Sequence, residues 1–142
     1  QKKQTFLYNW KENIEPIEKS GQLVFLRKDR DSYLTQCPIG FDVLFVDGHT
    51  EKQMIPVITH KGQKIAFAAD LVPTAGHIPL PYIPGYDIRP LTSLREKELF
   101  LNFCNDNNVF LFFEHDSDIN LASLKKTEKG VRINEKLNIC DL

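Results

Sequence analysis

The sequence predicts a single α/β (α+β) domain over residues 1–142, and three observations predict it. Short apolar runs recur along the chain at 23–26, 41–46, 54–59, 64–69 and 109–113, each bounded by Gly, Pro, Asn, Asp or charged residues. One longer amphipathic segment, 92–105, stands between the last two of them, so strand and helix patterns alternate. The chain has 142 residues with 42% hydrophobic and 11% aromatic content, enough for one packed core and too apolar for disorder.

Residues 6–19 read as a short helix that packs through Phe6, Tyr8, Trp10, Ile14 and Ile17, with Pro16 a weak point in its second half and Ser20-Gly21 its stop. Leu23 to Leu26 reads as a strand, Arg27 to Ser32 as a charged turn, and Tyr33-Leu34 as renewed extended chain before a loop at Pro38 to Gly40. Phe41 to Val46 is a nearly continuous apolar strand. Met54 to Thr59 and Lys64 to Ala69 pair as a hairpin through His60-Lys61-Gly62-Gln63. Pro73, Pro79, Pro81, Pro84 and Pro90 fix φ and remove backbone donors, so 72–90 is a long ordered loop of the kind that lines sites. Thr92 to Asn105 is the strongest helix. Ser93 and Glu96 have capping-box spacing, and Leu94, Leu101 and Cys104 share a face broadened by Phe100 and Phe103. Val109 to Phe113 is a fully apolar strand. Leu121 to Thr127 and Val131 to Ile133 form a last hairpin around Lys129-Gly130.

Composition excludes several function classes. With 18 basic and 19 acidic residues the net charge is -1, which leaves no basic excess to bind nucleic acid. No apolar run approaches the roughly 20 residues of a membrane helix. Cys37, Cys104 and Cys140 are odd in number and form no CxxC pair, which points away from a disulfide framework and toward a reducing, cytoplasmic compartment. The chain begins at Gln1 rather than Met, a hint that something precedes it.

One pattern carries chemistry. Three times an apolar strand ends and a metal-ligating residue type follows: Phe41 to Val46 leads through Asp47-Gly48 to His49, Ile65 to Ala69 leads to Asp70, and Val109 to Phe113 leads through Glu114 to His115. Residues just past strand ends gather at one edge of a sheet. Two imidazoles and a carboxylate suit zinc or a similar divalent ion such as manganese or iron. Gly48 is expected to allow a tight turn beside His49, and Asp116 or Glu114 to orient a ligand histidine.

The runs Asp47-Gly48-His49-Thr50, Phe67-Ala68-Ala69-Asp70-Leu71 and Phe113-Glu114-His115-Asp116, in this order around a hairpin and a helix, resemble the C-terminal half of metallo-β-lactamase-fold hydrolases. The resemblance covers about residues 20–135. It implies half of an αββα sandwich, a mixed sheet with helices on one face, and a site for two divalent metal ions. His49 would bind one metal, Asp70 would bridge both and serve catalysis, and His115 would bind the second. Many members continue Gly-His-Thr with Pro-Gly-His, where this chain has Glu51-Lys52-Gln53. The family's His-x-His-x-Asp-His motif is also absent, since the histidines stand at 49, 60, 77 and 115. Two protein ligands per metal fall short of the three or more of catalytic zinc, so the chain alone is expected to be inactive or weak. The N-terminal half is expected on the same or a separate polypeptide, covering an otherwise exposed apolar face. The implied activity is metal-assisted hydrolysis of a small-molecule ester, lactone or related bond. His77, Tyr82, Ile83 and Tyr86 of the Pro-rich loop are candidates for the substrate rim.

Plainer readings stand beside these. His60 fits a solvated hairpin end, His77 a structural role as well as a rim role, Trp10 a core position, and Lys125 to Lys129 a solvated hairpin. Cys37 has no basic neighbour to activate it, and no Gly-x-Ser-x-Gly elbow or phosphate-binding glycine loop occurs. The competing function is a non-catalytic module that dimerises through the apolar face. A third reading is an ordinary domain whose histidines serve only structure.

Overall fold

The computed structural model describes residues 12–29, 31–138 and 140. Seven strands form one sheet in strict sequence order: β1 (Thr35–Gln36), β2 (Asp42–Val46), β3 (Gln53–His60), β4 (Gln63–Phe67), β5 (Phe110–Phe112), β6 (Leu121–Thr127) and β7 (Gly130–Leu137). All neighbours pair antiparallel except β4 and β5, which run parallel. Antiparallel partners need only tight turns, whereas a parallel pair needs a crossover. The helix α2 (Pro90–Asp106), together with the Pro-rich loop, supplies it.

The β3–β4 hairpin closes through Lys61 and Gly62 with φ of 48° and 81°, the two left-handed residues that a two-residue hairpin turn demands. Helix α2 begins at Pro90, whose missing N–H costs nothing in a first turn. The capping box expected at Ser93 and Glu96 does not form. The helix starts at Pro90, two residues before Thr92, its N-cap Arg89 makes no side-chain cap, and Ser93 lies buried inside it. It ends with Asn108 at φ 52°. Val109 N–H donates to Cys104 O at 2.8 Å and Asn108 N–H to Asn105 O at 3.4 Å, which satisfies the last carbonyls.

The helix buries Phe100, Leu101 and Cys104 in one core with Leu44, Val46, Ile55, Val57, Ala66 and Leu111 of the sheet. Each fully buried large apolar side chain contributes about 1.5–3 kcal/mol. Alternation sends the other residues of these strands to the opposite face. There Val43 and Phe45 are covered by Cys37, with Leu26 and Phe41 against them. Farther along, Pro56, Ile58, Ile65, Phe67 and Phe112 line a shallow apolar groove, with Phe67 and Phe112 stacked at 5.9 Å.

The N-terminal region departs from expectation. Residues 23–26 form no strand. Val24 and Phe25 are 65% and 69% exposed, and the place beside β2 is taken by Thr35–Gln36. Among the described residues 12–13 are helical and Glu15–Lys19 forms the short helix α1, with Pro16 in its first turn where proline is tolerated. Phe6, Tyr8 and Trp10 lie outside the described residues. Cys37, Cys104 and Cys140 are free. Among the described residues no helix is long and apolar enough to cross a membrane.

Candidate metal centre

Topology brings the three strand ends to one edge. β2 and β4 are each antiparallel to β3, so they run the same way, and β5 is parallel to β4. The chain therefore leaves all three strands at the same side of the sheet, the side on which His49, Asp70 and His115 follow.

Each residue is then aimed by its own local structure. β4 ends at Phe67 rather than running to Ala69. Ala69 instead adopts φ 45° and opens a 3-10 turn, Ala69–Leu71, that carries Asp70. A non-glycine residue in this region costs about 1–2 kcal/mol. It turns the chain sharply at the end of β4.

His49 sits on a segment pinned from every side. The Glu96 carboxylate accepts the N–H of Asp47 at 2.8 Å and of Gly48 at 2.9 Å. Arg89 N–H donates to Gly48 O at 2.8 Å, and Ile88 N–H to His49 O at 3.2 Å. Gly48 lies in a bend without adopting a left-handed conformation. Its glycine is required by proximity, because a Cβ there would collide with Ser93 Oγ, N and Cα.

His115 is held by its neighbours. Its N–H donates to Pro73 O at 3.1 Å. Asp116 does not orient a histidine. Its carboxylate accepts the N–H groups of Ala75, Asp118 and Ile119 at 2.9, 3.0 and 2.9 Å and so ties the His115 turn to the loop after Asp70. Burial alone would raise the Asp116 pKa, but these backbone donors hold it below the ordinary carboxylate value. The contribution is present above about pH 4 and is lost as pH falls through the depressed value. Asp116→Asn is expected to lower stability at pH 7 by about 1–2 kcal/mol. Urea unfolding at pH 7 and pH 3 checks this, and the gap between wild type and variant should narrow at pH 3.

The three side chains meet. His49 Nε2 lies 3.4 Å from Asp70 Oδ2, and His115 Nε2 lies 3.3 Å from Asp70 Oδ1. One carboxylate is thus flanked by an imidazole on each oxygen. Both separations exceed the 2.7–2.9 Å of a charge-assisted hydrogen bond. They match the spacing of about 3.3–3.4 Å that two ligand atoms have around a tetrahedral ion about 2.0–2.1 Å from each. The donor set therefore fits divalent metal ions.

Asp87, which the sequence reading did not single out, orients His49. Its Oδ1 lies 2.9 Å from His49 Nδ1, and its side chain is 1% exposed. A carboxylate on Nδ1 leaves Nε2 free toward Asp70, the usual support for a metal-binding imidazole. Its signal was only an acidic residue in a proline-rich loop. Glu114, expected to orient a histidine, instead brings Oε2 to 3.9 Å from His115 Nε2.

Of the rim candidates, Tyr86 stands edge-on to His49 with ring centroids 5.5 Å apart. Burial, and then the charges of Asp70 and Asp87, raise its pKa, so the phenol stays protonated. His77 bonds Thr74 Oγ1 through Nδ1 at 2.8 Å, and its pKa is lowered by burial. Among the described contacts neither His77 nor Tyr82 touches His49, Asp70 or His115; their carbonyls instead accept Lys97 Nζ. Ile83 likewise makes none of the described contacts with these three residues. A larger cleft of about 790 Å³ lies elsewhere, between 28–33 and α2, and holds none of these residues.

Known structures share this architecture. A probable metal-dependent hydrolase from Staphylococcus aureus is 23% identical with a TM-score of 0.67, over 83% of this chain and 40% of its own. AidC, a dizinc quorum-quenching lactonase solved with the product N-hexnoyl-L-homoserine, is 17% identical with a TM-score of 0.67, over 92% and 47%. AbOPH, a hydrolase in the beta lactamase superfamily, is 18% identical with a TM-score of 0.66, over 91% and 43%. The chain has the metallo-β-lactamase fold. It spans 40 to 47% of the length of these proteins. No family model matches the chain, and no curated protein matches it significantly.

Proposed function

We propose that this chain is the C-terminal part of a dinuclear metal-dependent hydrolase acting on a small-molecule ester, lactone or related bond. One observation carries the reading: both oxygens of Asp70 face an imidazole Nε2, at 3.3 and 3.4 Å. The metallo-β-lactamase fold and the hydrolase neighbours support it. The donor set would suit two divalent ions, zinc first and manganese or iron next.

His49 and Asp70 would hold one ion, and Asp70 and His115 the other. Bound divalent metals lower the pKa of a water and polarise the oxygen of the scissile group. Asp87 holds His49 in the tautomer that presents Nε2. Asp116 keeps His115 in register with Asp70. Tyr86, protonated at neutral pH, offers a hydrogen-bond donor beside His49 for a substrate oxygen. The ligands still lacking would come from the other half of the fold, on the same or a separate polypeptide. That half would also cover the groove at Pro56, Ile58, Ile65, Phe67 and Phe112. The free cysteines suit a reducing, cytoplasmic setting.

The test is metal content of the protein together with hydrolysis of ester and lactone substrates when the complementary half is supplied. His115→Ala is expected to lose metal and to reduce turnover at least a hundredfold. Equal metal content and equal turnover in the two proteins would overturn the reading. The exposed Met54 and Ile58 beside that groove favour a second reading, a non-catalytic dimerisation module. It predicts a stable dimer by light scattering and no bound transition metal.

A further inference from the structure

Resting on the metal-centre reading, we infer that Glu114 is itself a metal ligand, so that Asp70, Glu114 and His115 form a three-donor site that this chain completes without any other half. One carboxylate oxygen each from Asp70 and Glu114 and one imidazole nitrogen from His115 lie within 4.8 Å of one another. His115 Nε2 stands 3.3 Å from Asp70 Oδ1 and 3.9 Å from Glu114 Oε2. On a straight strand, consecutive residues point to opposite faces and could not share an ion. Here β5 has ended at Phe112, and 114–115 form a bend, which lets the two neighbours converge.

The bend is held in advance. His115 N–H is bound to Pro73 O, and Asp116 is bound to Ala75 N–H, so the Asp70 loop and the Glu114-His115 turn are joined along two successive links. Preorganised ligands bind a cation without first losing backbone freedom. The Glu114 side chain is 41% exposed, so packing does not lock its rotamer. Three ligands of mixed nitrogen and oxygen type meet the number that catalytic zinc sites use, whereas the His49 side has two protein donors, His49 and Asp70, among the described residues. The two positions are therefore unequal. The isolated chain binds one ion, at the His115 side, and the His49 side fills only when further ligands arrive.

Calorimetric titration of the 142-residue chain with zinc, repeated with cobalt and read by its visible absorption, tests this. Wild type is expected to bind one equivalent, His49→Ala to bind it unchanged, and Glu114→Gln to weaken it at least tenfold, with Glu114→Asp retaining part. Circular dichroism checks that each variant is folded. Wild-type affinity in Glu114→Gln with loss in His115→Ala overturns the role of Glu114 while leaving the dinuclear reading intact. Loss of the first equivalent in His49→Ala overturns the order of filling. No binding by the wild-type chain also overturns the inference and reduces the cluster to a histidine lying between two carboxylates. The dinuclear reading is then decided separately by His115→Ala in the presence of the other half.

Discussion

Gly48→Ala is expected to destabilise the protein by about 3 kcal/mol. The added methyl would occupy space already held by Ser93 Oγ, N and Cα. Two of those atoms are backbone, so no rotamer change relieves the collision. Either the first turn of α2 or the 47–49 segment must move. Overpacking in a close-packed site costs about 1–3 kcal/mol, and more when backbone must yield. Movement also breaks the paired bonds from Asp47 and Gly48 to Glu96 and the bond from Arg89 to Gly48 O. The thermal midpoint should fall by roughly 10 °C. Thermal unfolding provides the check. A midpoint within about 2 °C of wild type would show that the approach to Ser93 is not as tight as described. Ser93→Gly added to Gly48→Ala should restore part of the loss, because it removes one colliding atom.

The second large effect is expected at Lys97. Its side chain is fully buried, and its ammonium donates to three carbonyls, those of His77, Pro79 and Tyr82, at 2.9, 3.1 and 2.7 Å. An ammonium has three donors, and all three are used. Burial lowers the pKa to about 8, so the group is charged at neutral pH. This single cation fastens the Pro-rich loop to α2, and the same loop runs on to Tyr86 and Asp87. Lys97→Met keeps most of the volume but leaves three carbonyls without their donor, a loss of about 2–4 kcal/mol. Lys97→Arg should rescue little, because a planar fork cannot place three donors on three converging acceptors. Denaturant unfolding measures the loss. Hydrogen exchange should also show faster opening confined to 77–88, which a uniform loss of core stability would not produce.

The elements were legible in the sequence where one physical signal decided them. The β3–β4 hairpin was marked by Lys61-Gly62, and β2 and β5 by the apolar runs at 43–46 and 110–112. Helix α2 was visible from its buried face, although its start was misplaced because Ser93 and Glu96 matched a cap by spacing alone. Local pattern failed at 23–26, where Leu-Val-Phe-Leu has strand composition but finds no ladder partner. A strand is stabilised by its neighbours, and those are not local information.

The site divides in the same way. By itself the sequence determined which side chains can bind cations and that His49, Asp70 and His115 each follow a strand, because ligand chemistry and strand patterning are properties of single residues and short runs. Only the tertiary structure decided that β2, β4 and β5 share a direction, that Asp70 stands between the two imidazoles, and that Asp87, Glu96 and Lys97 serve the site. Those relations join residues about 15 to 50 positions apart, and a distance of a few ångströms between them exists only once the sheet and α2 have packed.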